Sequence, residues 1–168
     1  MQRMQPAEAL GVAAQVAVTL AGFAGIVVVF RPDSVHQWSP LDRFRLQLLL
    51  TNSAAPLVYA LFGLLLLSID PPPLMVWRWC SIFAFVAQVP FFVMTTRARN
   101  QVSNAEFKTV AKVIYYPVGL LSFAAVVLQV FNYTRWNQFW PFFAAIVVHL
   151  VAAIVQFLRL VLLPPHKP

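Results

Sequence analysis

An all-α, polytopic transmembrane helical bundle of five spans is the fold class that this sequence predicts, with the amino terminus outside and the carboxyl terminus cytoplasmic. Three observations predict it. Five apolar runs, at 9–30, 46–69, 74–94, 113–131 and 141–163, occupy most of the 168 residues. Each is about as long as a helix rising about 1.5 Å per residue must be to cross about 30 Å of hydrocarbon. None contains Asp, Glu or Lys. The third observation is that Lys and Arg are unevenly shared between the two sets of loops, which fixes an expected orientation.

Composition sets the bounds. Hydrophobic residues make up 61% of the chain and charged residues 10%, against about 25% charged in ordinary soluble domains. A water-facing surface of normal area cannot be built from this, so residues 1–168 are read as a single integral membrane domain. The longest polar interruption, 97–112, is too short for a separate core. A net charge of +7 would suggest nucleic acid in a soluble protein. Here the basic residues flank the apolar runs, where they serve topology and attract anionic lipid at the cytoplasmic face, so no nucleic-acid partner is expected. The single Cys80 permits neither an intrachain disulfide nor a thiolate metal site.

The first run is too long for a signal-peptide core and is expected to be a retained span. No lipid-anchor motif stands at either end. Within the run Ala13, Ala17, Ala21 and Gly25 recur every four residues, a ridge of small side chains that predicts close helix packing. Whether within one chain or between copies, that ridge is the expected seam.

Five spans place Arg3, Arg78 and Arg135 on one side of the membrane. Arg31, Arg43, Arg45, Arg97, Arg99, Lys108, Lys112, Arg159 and Lys167 fall on the other. Because every loop is short, the richer side is expected to be cytoplasmic. Trp77, Trp79, Trp136 and Trp140 then mark outer span ends, and Tyr115 and Tyr116 an inner one. Helix starts are expected at both longer loops. Ser39-Pro40-Leu41-Asp42 offers a capping hydroxyl, a proline at the first helical position and an acid in the first turn. Ser103-Asn104-Ala105-Glu106 is a capping box. Beyond the second of these, Lys108 and Lys112 flank an apolar face suited to the headgroup boundary.

Prolines stand inside the second, third and fourth spans, at Pro56, Pro90 and Pro117, while Pro141 stands in the first turn of the fifth. Pro56 frees the carbonyl of Asn52 from its helical bond, so Asn52 lies at a loosened turn. Counting along the spans brings Thr19, Tyr59, Gln88, Ser122, His149 and Gln156 to a similar depth near the bilayer midplane. His149 is the ionisable group set well inside the hydrocarbon, and it shares a helix face with Gln156. These residues, with Asn52, form the candidate polar site. It reads either as a static interhelical hydrogen-bond network or as a site able to relay a proton.

Enzyme chemistry finds no support in the pattern. The spans offer no carboxylate pair, no nucleophile with a base and no second histidine, so neither catalytic residues nor a metal or cofactor site is expected. His36 and His166 lie in a loop and in the tail. No Walker motif or GxGxxG occurs.

The stretch Leu20 to Leu50, with GFAGIVVVFR closing one span and WSPLDRFRLQLLL opening the next, resembles small uncharacterised bacterial inner-membrane proteins. It covers about a fifth of the chain. The resemblance implies a bacterial cytoplasmic membrane and supplies no functional residues. The resulting expectation is a non-enzymatic bundle that is a homo-oligomeric, channel-like or solute-binding protein built on the midplane layer. Its alternative is an accessory or scaffold subunit that docks a membrane partner protein.

Overall fold

The computed structural model describes residues 5–30, 34–102 and 112–162, with side chains from Tyr115 onward in the last stretch. Arg3, Arg31, the capping box at Ser103 to Glu106, Lys108, His166 and Lys167 lie outside the described residues, as does the side chain of Lys112. Five helices among the described residues are long and apolar enough to cross a membrane. They are α1 (Pro6–Phe30), α2 (Pro40–Leu67), α3 (Val76–Asn100), α4 (Lys112–Phe131) and α5 (Phe139–Leu162). The chain is thus a membrane-embedded helical bundle.

The helix ends follow local chemistry. Ser39 Oγ accepts from the Asp42 N–H at 3.2 Å, and Pro40 takes the first position of α2, as the sequence predicts. A short 3-10 turn, Val35–Gln37, precedes it and carries an exposed His36. Helix α3 runs on to Asn100, so Arg97 and Arg99 sit in its last turn instead of in a loop. Cations there complement the negative end of the helix dipole. Past Phe131 the chain widens into one π-type turn, Asn132–Trp136, and stops at Asn137 with φ 50°, the left-handed conformation that ends helices. Asn137 Oδ1 accepts from the Arg78 N–H at 3.1 Å, tying this stop to the start of α3.

Helix α2 is central, with α1 and α5 packed along it. Leu10, Tyr59, Cys80, Phe142 and Ile146 form one buried cluster toward the end where α3 starts. Leu20, Ala24, Leu49, Ala153 and Leu160 form a second toward the other end. Gly63 lets α2 approach closely: a Cβ there would meet Leu10 Cδ1 at 2.9 Å and Phe142 Cε1 at 3.3 Å. In hydrocarbon such closeness is what holds helices together, through dispersion contact.

The buried line on α1 departs from the expected ridge. Ala13 and Ala17 are buried, but Ala21 is half-buried and Gly25 is exposed with nothing within 4 Å of its Cβ position. Leu20 and Ala24 continue the line instead. A four-residue repeat overshoots the 3.6-residue turn, so after two steps it has rotated off the contact face.

Arg45 is a second departure. Counted among the basic residues that flank the spans, it is nevertheless 1% exposed inside α2, with its Nη1 donating to Asp42 Oδ1 at 3.0 Å. The early helix start at Pro40 carries it one turn inward, against the face where Arg159 and Gln156 of α5 also lie.

Candidate functional site

Near the middle of α2, α3 and α5 the structure joins four of the seven expected polar residues. His149 Nδ1 lies 2.9 Å from Asn52 Oδ1, and its Nε2 lies 3.2 Å from Gln88 Oε1. Tyr59 donates to the same Gln88 oxygen at 3.1 Å and approaches Ala84 O at 3.3 Å. Asn52 donates through Nδ2 to Leu48 O at 2.7 Å. Three helices are therefore cross-linked through one imidazole. The rings of Tyr59 and Phe91 stand edge-on to it, at centroid distances of 5.7 and 5.2 Å, which fixes its plane.

The proton count of this cluster is informative. Both ring nitrogens face carbonyl oxygens, yet a neutral imidazole has one N–H. Full pairing as drawn requires two ring protons. A half-turn of the Gln88 amide satisfies the neutral ring as well: its nitrogen then donates to His149 and Tyr59, while Tyr59 still donates to Ala84 O. Gln88 can serve either protonation state without a change in helix packing.

The other three residues are placed differently. Gln156 is buried at 3% exposure, and its Oε1 has no hydrogen-bond partner among the described residues. Ser122 donates to Val118 O at 2.9 Å. Thr19 bonds back to Gln15 O at 2.8 Å on an exposed face of α1, away from the cluster. Depth alone cannot tell which way a residue points, and the helix rotation leaves Thr19 outside.

A cleft of about 430 Å³ opens beside the cluster, between α3 and α4. Asn52, Gln88, Gln156 and Ser122 line its inner part. Its rim carries Val89, Phe92 and Phe123, which are strongly exposed on the bundle surface. No charged side chain is among those lining it. Such a volume falls in the range of small-molecule sites, about 300 to 1,000 Å³.

What holds α3 and α4 together lies at the opposite end and was not foreseen from the sequence. Ser81 donates to Gln129 Oε1 at 2.9 Å, and Asn132 Nδ2 donates to Ser81 Oγ at 2.8 Å and Gln138 O at 3.0 Å. Gln129 Nε2 reaches Pro141 O at 2.7 Å, and Asn132 Oδ1 accepts from Gln138 N–H at 2.8 Å. The spacing of Gln129 and Asn132, three apart on one helix face, was the available signal. Pinned at this end, α3 and α4 part toward Thr95 and Tyr115, which line the cleft.

Among the described residues no group of three or more His, Cys, Asp or Glu is placed to hold a metal ion. No family model matches the chain, and no curated protein or solved structure matches it either.

Proposed function

We propose that this protein is a non-enzymatic binding protein of the membrane interior, which takes a small solute from the bilayer into the cleft between α3 and α4. The observation that carries the reading is the cleft itself: polar amides at its inner end, apolar surface at its rim and α3 and α4 joined at the other end. A lateral opening between helices admits a solute that already resides in lipid. Of the two forms expected from the sequence, solute binding has this support, whereas a passage would draw on a continuous polar column. Thr19 and Ser122 bond to their own helices instead.

The same proposal includes a bacterial inner membrane, with the amino terminus outside and anionic lipid at the basic cytoplasmic face. The basic-residue asymmetry and the resemblance of the Leu20 to Leu50 stretch favour it. Assembly into a homo-oligomer or with a membrane partner protein is compatible with binding in each copy.

The test is extraction of the protein with its surrounding lipid in polymer nanodiscs, followed by mass analysis of retained small molecules. The wild type is expected to retain a defined solute that Gly119→Phe loses. Gly119 lines the cleft and nothing lies within 4 Å of its Cβ position, so the new ring enters open space. Identical small-molecule content in both proteins would point to the accessory-subunit alternative, with the cleft as unused lipid-facing relief.

A further inference from the structure

We infer that the α3–α4 cleft selects a neutral lipid whose head group donates a hydrogen bond, an alcohol or a quinol, with Gln156 as its acceptor. This deepens the binding reading above and rests on it.

Gln156 carries the argument. Its side chain lines the cleft and is 97% buried by the complement of its 3% exposure, yet its Oε1 has no partner among the described residues. A carbonyl left unpaired in hydrocarbon is costly, because no bulk water can bond it. The cost is removed when a rotation of the Gln156 amide brings that oxygen to a donor in the cleft.

The neighbouring polar groups ask for the same chemistry. Ser122 already donates its proton to Val118 O, so it offers only lone pairs to a guest. Gln88 directs its oxygen to His149 and Tyr59, and only the half-turned amide that suits a neutral imidazole would bring that oxygen to the cleft. Gln156 and Ser122 are therefore the acceptors on the cleft floor.

Charge excludes the common alternatives. A carboxylate or phosphate in hydrocarbon requires a cationic partner; none lines the cleft among the described residues, and Arg45 and Arg159 stand behind Gln156, outside the cleft lining. A neutral hydroxyl does not. The exposed rim at Val89, Phe92 and Phe123 lets an apolar tail leave directly into lipid.

The experiment uses the full chain in nanodiscs with three photoreactive diazirine probes of one chain length: oleyl alcohol, its methyl ether and oleic acid. Adducts are mapped to α3 and α4 by peptide mass. The alcohol is expected to label about fivefold more than the ether or the acid, the equivalent of one hydrogen bond. Gln156→Leu, which keeps the bulk and removes the acceptor, should erase that preference, and Gly119→Phe should abolish labelling by all three.

Equal labelling by alcohol and ether in the wild type would overturn the head-group inference. Loss of that labelling in Gly119→Phe would still leave the cleft reading intact. Labelling that survives Gly119→Phe undiminished would overturn the cleft reading itself. The wild-type probe comparison decides even where Gln156→Leu does not fold. Competition by a short-chain benzoquinol against farnesol separates the two sources, and displacement by either supports the donor head group.

Discussion

His149 Nδ1 and Asn52 Oδ1, 97 residues apart in sequence, lie 2.9 Å from each other at mid-helix. The contact joins α5 to α2 where Pro56 has already removed one helical bond, and the Asn52 amide bonds Leu48 O as well. One side chain therefore steadies a loosened turn and a neighbouring helix together.

From this contact follows the first prediction. His149→Leu leaves Asn52 and Gln88 without their interhelical partner and should destabilise the bundle by about 1 kcal/mol, the usual scale for such bonds in membranes. His149→Gln retains a bond to one of them and should lose less. Reversible unfolding in mixed micelles checks the order. A Leu variant as stable as wild type would mean that Asn52 and Gln88 re-pair with each other.

The second concerns glycines. Gly63→Val should cost about 1 to 3 kcal/mol, because even the Cβ meets Leu10 and Phe142, both fully buried. Gly25→Leu should be tolerated, since its Cβ position is open. Thermal stability of the two purified variants gives the comparison, and the reverse order would point to a seam at Gly25 between copies.

Those glycines show how far the sequence could be read. The five apolar helices, the Ser39 cap and the central placement of His149, Asn52, Gln88 and Tyr59 follow from run length, local donors and counting. Such arguments fix position along a helix axis. Rotation about the axis is set by packing against neighbours, and that is where Thr19, Ala21 and Gly25 leave the buried line within the chain. Arg45 differs for a related reason: the helix start at Pro40 was legible, but which face Arg45 takes, inward beside the Asp42 carboxylate, was not. The cleft was not legible at all, since it depends on how far α3 and α4 part.

The third prediction tests the pin opposite the cleft. Asn132→Leu removes bonds to Ser81, Gln138 O and the Gln138 N–H together, and should destabilise by about 1 to 3 kcal/mol. Gln129→Leu should cost less, since Asn132 still holds Ser81. A double variant should fall short of the sum, because both residues share the Ser81 hydroxyl. Strict additivity would show two independent contacts.

The last concerns orientation, which the basic residues govern. In a Cys80→Ser background, single cysteines at Asp70 and Ser34 sit at opposite ends of α2, each at an exposed position. With three basic residues on one side and nine on the other by count of the sequence, a membrane-impermeant maleimide added to intact cells should label Asp70→Cys and spare Ser34→Cys until the cells are broken. Because Cys80 is buried, its replacement serves only to silence background labelling. The inverse pattern would place the amino terminus in the cytoplasm and put the basic end of α2 and α5 on the outer face. Labelling at both sites in intact cells would indicate dual insertion, in which the basic asymmetry does not decide. Adding positive charge beside Asp70, for instance Ser68→Arg with Ile69→Lys, should then shift the balance, since short loops are the regime in which such charges act.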